Sequence, residues 1–499
     1  MAFKVLDIEV FPNVFIAVIK DIETKEVVII EKSKYNDNTN LLKELLYNNY
    51  VITYNGKSYD DIVINYIIQN NPTPEEIKEF SDYLINRDVS DYSPNSLYRQ
   101  YKYINNYKQI DLLTMLFSKK LRVSLKALQV MLKWHNVLEC EISFNKYIDK
   151  DEIQTVIEYC INDVEFTEYL AEWCKNDLKF RFELNKEYGI DTLSSDPVKI
   201  GVDLMSKFIG KKLVGKTLKY ADYGQPNIEL FGKKYDSVLI QNEKEGISFV
   251  KKTRFTPKPF YLGEIVNNFI KFDDPVLKQL LEEIKNFKYR HKENYFEKRI
   301  KFKDTIYDIG SGGLHSYFPH PKIITASKDE FYKQADYKSY YPSQRVFLKY
   351  PHEIWGNMFW EEDRDILYGR WKAQKEGDKV RDAAFKLIGN STFGQFGNEW
   401  NQFCSPKLGN SQTINGQLMI LMHIEWLVNA GANVLASNTD SVDIVYSKHI
   451  DNDIITVGEK FKEVTNGITV EYDNIEKAVY SDIKHCVLTF SNCGKPLKI

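Results

Sequence analysis

Hydrophobic residues near the amino terminus recur at every second position, which is the spacing of β-strands. Residues 3–19 and 27–30 are rich in Val, Ile and Phe and are separated by turn-forming residues, so the pattern predicts a hairpin that opens the fold. Apolar residues then recur at three- and four-residue spacing in residues 40–48, 62–69 and 153–173, which predicts helices. Strands followed by helices predict an α/β domain at the start of the chain.

The second half of the chain repeats this mixture beyond a glycine-rich segment. Residues 310–313, Gly-Ser-Gly-Gly, predict a loop and a domain boundary. A strand, two helices around a Glu-Gly turn and a hairpin are predicted after it, in residues 330–336, 363–375, 379–389 and 433–446. The most apolar stretch, residues 418–435, is interrupted by polar side chains and therefore predicts a buried helix instead of a membrane span.

Length and composition are typical of a folded protein with several domains. The chain has 499 residues, 43% of them hydrophobic, and 67 basic against 70 acidic side chains, a net charge of −3. This balance excludes a histone-like polycation but not nucleic-acid binding, since local basic surfaces make such contacts. The six cysteines form no Cys-x-x-Cys pair, and Lys4 places a charge near the amino terminus, unlike an apolar signal peptide. We therefore expect a soluble, cytoplasmic protein with reduced cysteines.

Residues 251–303 are locally basic, with eleven lysines and three arginines against seven acidic residues, and Phe and Tyr lie between them. Basic and aromatic residues together suit a surface that contacts phosphate backbones. The same pattern is equally typical of a solvated helix face above buried aromatic rings. Both interpretations stay open at this point.

Three groups of residues in the first third of the chain have spacings that suit metal binding. Asp7 and Glu9 lie two apart on a predicted strand, so both side chains point to one face. Asp60 follows a predicted strand, and strand ends are where α/β proteins assemble their sites. Tyr159 and Asp163 lie four apart on a predicted helix and share one side of it. An Asp-x-Glu pair by itself is also typical of a solvent-facing strand edge.

In this order, the three groups resemble the three motifs of the 3′–5′ proofreading exonuclease of family B DNA polymerases. The resemblance implies that the four acids hold two divalent cations and that Tyr159 orients the attacking water. Two metals roughly 3.5 to 4 Å apart suit a phosphodiester displacement, because they activate the water and stabilise the leaving oxygen. Ser124 and Leu125 resemble the segment with which that family holds single-stranded primer.

The segment that runs from Asp336 to Ser343, Asp-Tyr-Lys-Ser-Tyr-Tyr-Pro-Ser, follows a predicted strand and ends in a turn. It resembles motif A of the same family. The resemblance implies that Asp336 binds metal, that the backbone of the turn cradles the triphosphate, and that Tyr341 lies under the sugar. A polar strand end with aromatic packing is the alternative interpretation of this motif alone.

A helix predicted around Lys386 carries a second polymerase-like pattern. Lys386, Asn390 and Phe393 fall on one helix face together with Gly394. They resemble motif B, which implies that Lys386 meets the incoming phosphates, as suits a lysine point charge, and that Asn390 and Phe393 pack near the base pair. The family usually has Tyr at the position of Phe393.

The sequence Asn-Thr-Asp-Ser at 438–441 lies in a predicted hairpin and resembles motif C, in which a turn lifts a carboxylate toward motif A. The resemblance implies that Asp440 is the essential metal ligand, whereas Asn438 replaces the usual first acid. Asp443 lies on the opposite strand face, so we expect a structural role for it.

Two further elements resemble parts of the family that touch DNA. Gly312 and Gly313 fall where the family has a glycine pair that links its two activities. Gln417 stands where the family has Arg in a Thr-x-x-Gly-Arg element, so we expect a weakened DNA contact there. Lys484 resembles the lysine of a Lys-x-Tyr element that grips the primer.

The resemblance implies an α/β protein made of an RNase H-like exonuclease domain and a ferredoxin/RRM-like palm with short helical fingers. The expected segments are the exonuclease domain in 1–185, a basic linker or insertion in 186–305, palm in 306–345 and 395–499, and fingers in 346–394. The expected thumb is absent, replaced by the basic segment, or supplied by another chain. Fifty residues separate Asp336 from Lys386 and Asn390 from Asp440. This leaves no room for the insertions of protein-primed members, so a nucleic-acid primer is expected.

We expect a phage- or plasmid-type DNA-templated DNA polymerase with proofreading. Its substrates are primer–template DNA and dNTPs, its cofactors are two Mg²⁺ or Mn²⁺ ions per active site, and its partners are replisome proteins or a thumb-bearing chain. Two alternatives are a 3′–5′ exonuclease whose polymerase half needs a separate thumb, and a non-catalytic replisome subunit that binds DNA. Clustered acids repel phosphates, so they disfavour a purely binding role.

Overall fold

A computed structural model describes most of the chain. The described residues are 2–87, 96–102, 104, 107–117, 123–213, 257–353, 355–483 and 485–490, together with seven short strands between residues 217 and 254. The chain divides into two compact units, Met1–Ile200 and Gly201–Ile499. Each unit has hydrophobic clusters of its own.

The first unit is a mixed α/β structure, as predicted. Its strands are β1 (Phe3–Phe11), β2 (Val14–Asp21), β3 (Val27–Lys32), β4 (Tyr50–Thr53) and β5 (Lys108–Asp111). Its helices are α1 (Leu42–Leu46), α2 (Asp60–Asn70), α3 (Pro74–Asn86), α4 (Leu97–Lys102), α5 (Leu112–Leu116), α6 (Leu125–Met131), α7 (Lys150–Trp173) and α8 (Lys175–Tyr188), and α9 (Pro197–Leu213) follows them.

The five strands form one sheet in the order β3-β2-β1-β4-β5. The three strands β1 to β3 pair antiparallel, which confirms the predicted hairpin, and β4 and β5 join in parallel. Alternate side chains of β1 point to opposite faces. Val5 packs with Val156 and Val164 of α7 on one face, whereas Ile8 packs with Ile62 of α2 on the other. Asp7 and Glu9 therefore lie on the face that α7 covers.

The second unit continues with β6 (Thr217–Lys219), β7 (Ile228–Leu230), β8 (Lys233–Tyr235), β9 (Ser237–Leu239), β10 (Gln241–Glu243), β11 (Gly246–Ser248), β12 (Thr253–Arg254), β13 (Phe260–Tyr261), β14 (Lys288–Tyr289), β15 (Lys298–Phe302), β16 (Thr305–Ile309), β17 (His315–Tyr317), β18 (Lys322–Ile324), β19 (Glu330–Tyr337), β20 (Asn433–Asn438), β21 (Ser441–Ser447), β22 (Val470–Tyr480) and β23 (Cys486–Phe490). Its helices after α9 are α10 (Pro275–Asn286), α11 (Tyr340–Phe347), α12 (Asn357–Glu376), α13 (Lys379–Gln395), α14 (Pro406–Asn429) and α15 (Asp451–Val464).

A nine-stranded sheet in the order β15-β16-β17-β20-β21-β19-β22-β18, with β23 paired to β22, organises this unit. Its core joins strand residues such as Tyr337 and Val442 to Leu418 and Leu421 of the buried helix α14. The predicted strand, helix pair and hairpin are all present. The helix predicted at 418–435 ends at Asn429, because Gly431 adopts a φ of 100° and turns the chain into β20.

The basic segment is folded into this core instead of standing apart. Phe260, Phe272 and the apolar side of α10 belong to the same hydrophobic cluster as Tyr337 and α14. Several basic side chains of the segment pair with acids on the surface, as Lys298 does with Glu283 and Lys292 with Glu399. The described residues 257–303 thus have the pattern of a solvated face above buried aromatic rings.

None of the helices in the described part of the chain combines the length and apolarity that crossing a membrane requires.

Candidate active sites

The first candidate site gathers acidic residues between β1 and α7. Ligand atoms of Asp7, Glu9 and Cys160 all lie within 4.8 Å of one another. The thiol of Cys160 donates to the carbonyl oxygen of Asp7 at 3.4 Å and approaches its Oδ2 at 3.6 Å. Cys160 is on α7, one residue after Tyr159 and three before Asp163. The helix therefore presents the predicted third motif to the strand that carries the first.

Asp60 reaches the same site as the first residue of α2, at the end of a tight loop after β4. Asn55 adopts a left-handed φ of 70° in this loop. A Cβ on Gly56 would lie 2.2 Å from the Oγ1 atom of Thr53, so only glycine allows this close approach. The loop is held by Asp111, whose carboxylate accepts hydrogen bonds from the amides of Asn55 at 3.0 Å and Lys57 at 3.2 Å.

Burial and repulsion between neighbouring carboxylates raise the pKa values of Asp7, Glu9 and Asp60. Burial raises the pKa of Asp7 to about 7, and repulsion from Asp163 adds to the effect. Burial raises the pKa of Glu9, with further repulsion from Asp7, Asp163 and Asp60. The pKa of Asp60 is raised by burial and then by Asp7. Crowded, buried carboxylates are unfavourable as anions unless a cation lies among them.

One such cation is Lys126, a residue that no sequence motif indicated. Its Nζ lies 2.5 Å from the Oδ1 atom of Asp163 and 4.3 Å from the ring centroid of Tyr159. Gln129 donates to the same Oδ1 atom at 2.9 Å. Lys126 directly follows the selected Ser124 and Leu125 on the short helix α6, but nothing in that spacing indicates which acid it meets.

Ser124 and Leu125 themselves lie at the start of α6. The hydroxyl of Ser124 accepts a hydrogen bond from the amide of Ala127 at 3.1 Å and so caps the helix. The side chain of Leu125 is half-buried against the cluster under α7. Their contact with single-stranded DNA stays a prediction.

The second candidate site lies where β19 meets the turn between β20 and β21. Asp336 pairs with Ser441 in the register of β19 and β21, and the amide of Tyr337 donates to the carbonyl oxygen of Asp440 at 3.0 Å. Thr439 adopts a left-handed φ of 56° at the tip of the turn, and the side chain of Asp440 is exposed. The structure thus brings predicted motifs A and C to adjacent strand ends.

Two aromatic rings join motif A to motif B. Tyr341 on α11 stacks on Phe393 of α13, with ring centroids 4.9 Å apart and an interplanar angle of 26°. Burial and the nearby charge of Asp440 raise the pKa of Tyr341 to about 12. Lys386 and Asn390 are exposed on the same helix as Phe393.

Arg370 on α12 is a second basic residue that no sequence motif indicated. Its guanidinium donates to Asp382 at 2.9 Å and to the hydroxyl of Ser339 at 3.2 Å. Ser339 lies in the motif A turn and has a left-handed φ of 47°. Arg370 therefore contacts the turn whose backbone is predicted to cradle the triphosphate.

The glycine pair packs against the motif C turn. A Cβ on Gly313 would lie 2.6 Å from the Cα of Thr439, so glycine is required for this approach, whereas Gly312 has open space. Gln417 is buried and donates to the carbonyl oxygens of Gly310 at 2.8 Å and Gly312 at 2.9 Å. Gln417 therefore holds the glycine loop, and the weakened DNA contact expected at its position stays a prediction.

Asp443 has the structural role that we expected. It is buried and accepts hydrogen bonds from Tyr332 at 3.0 Å, from Gln334 at 2.8 Å and from Tyr480. Lys484, the predicted primer-gripping residue, lies outside the described residues.

No family model matches the sequence, and no curated protein matches it. Among solved structures, the chain is similar to the family B DNA polymerase of the hyperthermophilic archaeon Pyrobaculum calidifontis, with a TM-score of 0.49 and 13% sequence identity. The alignment covers 100% of this chain and 59% of that chain.

Proposed function

We propose that this protein is a DNA-templated DNA polymerase with a 3′–5′ exonuclease, each activity residing in one of the two units. The observation that carries the proposal is the pairing of β19 with β21, which places Asp336 opposite Ser441 and beside Asp440. Two acids from distant parts of the sequence at neighbouring strand ends suit the two-metal chemistry of nucleotidyl transfer.

The donor sets of both sites fit divalent cations. Carboxylate oxygens are the ligands that Mg²⁺ and Mn²⁺ prefer. The first site holds Asp7, Glu9, Asp60 and Asp163, and burial together with neighbouring carboxylates raises the pKa values of the first three. Asp336 and Asp440 would hold the ions of the second site. When bound, such ions activate an attacking oxygen and stabilise the leaving oxygen of a phosphodiester or triphosphate.

The remaining residues bind and position the reactants. Lys386 and Arg370 supply positive charge to the triphosphate, and Asn390 lies on the same helix as Lys386. The stacked rings of Tyr341 and Phe393 form an apolar support for the sugar and base. In the exonuclease site, the hydroxyl of Tyr159 orients the attacking water, while Ser124 and Leu125 hold the single-stranded 3′ end.

The acidic site of the first unit supports the proposal independently of the second unit. A binding module gains nothing from four crowded acids beside a phosphate chain, because like charges repel. A metal-dependent nuclease requires such a group. The glycine loop at 310–313, held by Gln417, lies beside the motif C turn and suits a contact with the sugar–phosphate backbone of the primer–template.

The test is to incubate the full chain with a 5′-labelled primer on a longer template and Mg²⁺, with and without all four dNTPs. The length of the labelled primer is then measured on a denaturing gel. Lengthening with dNTPs and shortening without them is the expected result. Shortening in both reactions would contradict the polymerase and leave the exonuclease, and no change in either would contradict both activities.

A further inference from the structure

Lys126 lies inside the acidic site of the first unit. Its Nζ is 2.5 Å from the Oδ1 atom of Asp163, and the lysine side chain is only 23% exposed. The same ammonium lies 4.3 Å from the ring centroid of Tyr159. A carboxylate and an aromatic face both stabilise a cation, so the surroundings of Lys126 stabilise a positive charge at this position.

The charge of Lys126 acts on more than its direct partner. Burial and mutual repulsion raise the pKa values of Asp7 and Glu9, and the charge of Lys126 offsets part of this rise. Gln129, which is completely buried, also donates to the Oδ1 atom of Asp163. That oxygen therefore already has two protein donors, an ammonium group and a side-chain amide.

A divalent cation and this ammonium are attracted by the same oxygens and repel each other. The lysine stem is long and has several rotatable bonds, so the ammonium can withdraw from Asp163 while α6 stays in place. Withdrawal exchanges one favourable ion pair for another, and the free energy of the lost pair reduces the net affinity for the incoming cation.

We propose that Lys126 is a tethered counter-ion of the exonuclease site, which balances its acids in the metal-free protein and competes with the divalent cation for Asp163. The inference rests on the proposed exonuclease and deepens it, because it names the residue that sets the metal affinity of that site. Lys126 is here a positioning residue, and its effect is measured by metal binding without any substrate.

The experiment measures Mn²⁺ binding to the full chain by the electron paramagnetic resonance signal of free Mn²⁺. All proteins carry Asp336→Ala and Asp440→Ala, so that binding reports on the first unit. Lys126→Met keeps much of the apolar stem and removes the charge, whereas Lys126→Arg keeps the charge. Lys179→Met, at an exposed lysine on α8, is the matched control for the loss of one positive charge.

We expect Lys126→Met to bind Mn²⁺ about tenfold more tightly than the parent, equivalent to about 1.4 kcal/mol. Lys126→Arg and Lys179→Met stay within about twofold of the parent, because the charge beside Asp163 is unchanged. Without metal, Lys126→Met melts at a lower temperature than the parent, since its acids have lost their counter-ion, and Mn²⁺ raises its melting temperature by more.

Unchanged or weaker Mn²⁺ binding by a folded Lys126→Met protein would overturn the inference while leaving the exonuclease proposal in place. If that variant shows no cooperative melting, Lys126→Gln replaces it, because an amide can still donate to Asp163 without carrying charge. A parent protein that binds no Mn²⁺ at millimolar concentration would overturn the exonuclease site itself, and the role of Lys126 with it.

Discussion

The backbone amide of Tyr337 donates a hydrogen bond to the carbonyl oxygen of Asp440 over 3.0 Å. Because Tyr337 directly follows Asp336, this bond holds the two proposed metal-binding acids of the second unit at adjacent strand ends. The bond involves only backbone atoms, so a substitution at Asp440 removes the carboxylate and leaves the strand pairing intact. The role of the Asp440 carboxylate can therefore be tested without disturbing the strands that carry it.

Asp440→Ala should lower primer extension by about a thousandfold or more, since an electrostatic group that acts in the transition state is lost. Primer shortening without dNTPs should continue at the parent rate. Both are measured with labelled primer on a denaturing gel. Asp453→Ala, an exposed acid on α15, is the control and should retain both activities. Loss of shortening in Asp440→Ala would contradict two independent sites.

Asp7→Ala should have the opposite effect. It removes one of the crowded acids beside Glu9 and Asp163, so shortening falls by about a thousandfold while extension persists. Extension is measured with excess dNTPs, and shortening on single-stranded DNA. Extension that disappears together with shortening would mean that the two units do not act separately.

Asp111 should position Asp60 through the loop that it holds. Its carboxylate is completely buried and accepts hydrogen bonds from four amides, those of Asn55, Lys57, Leu113 and Thr114, at 3.0 to 3.3 Å. Asp111→Ala leaves these donors unsatisfied, and we expect about 3 kcal/mol less stability in the first unit.

Urea unfolding of the full chain, followed by a probe in the first unit, measures this loss. Asp111→Asn retains one carbonyl acceptor, so its loss should be about half as large. Shortening activity should fall in the same order, because the loop carries Asp60. An Asp111→Ala protein with parental stability and activity would contradict this role.

A buried ion pair joins α11 to α12. Arg345 donates to both carboxylate oxygens of Asp363, at 2.5 and 3.1 Å, and neither side chain is more than 2% exposed. Asp363→Ala leaves a buried guanidinium without its anion, so we expect a loss of about 3 to 5 kcal/mol in the stability of the second unit. The double variant Arg345→Met with Asp363→Leu should be more stable than Asp363→Ala alone. In a double-mutant cycle with the single variants Arg345→Met and Asp363→Leu, a loss in the double variant equal to the sum of the two single losses would show that the pair has no coupling.

The second unit should lose stability in acid because it buries a neutral histidine beside motif A. Burial lowers the pKa of His423 from 6.5 to about 3, and the histidine contacts the hydroxyl of Tyr337 through Nδ1 at 2.7 Å. Because the pKa of His423 is lower in the folded than in the unfolded state, the contribution of its neutral side chain to folding stability is fully present above pH 6.5. It is lost as the pH falls from there toward 3, by about 1.4 kcal/mol per pH unit.

Urea unfolding at about pH 7.5 and about pH 5 measures this dependence for the second unit. The free energy of unfolding should differ less between the two pH values in His423→Phe than in the parent protein. His320→Gln, at an exposed histidine, should leave the difference unchanged. An equal difference in His423→Phe and the parent would contradict the assignment.

The amino-acid sequence determined the mixed α/β class, the main strands and helices, and the order of the acidic residues. These follow from local patterns, because the periods of strands and helices involve neighbours in the chain. The predicted start of α7 at residue 153 differs from the observed Lys150, since Glu152 accepts a hydrogen bond from the amide of Asp149 and extends the helix by a polar turn.

Only the tertiary structure decided which distant groups meet. Lys126 reaches Asp163 across 37 positions, Asp111 holds the loop at Asn55 across 56, and Gln417 holds Gly312 across 105. No periodic pattern distinguishes these side chains from exposed or merely buried ones. Their partners depend on the packing of helices and strands against each other, which brings together residues that the chain keeps far apart.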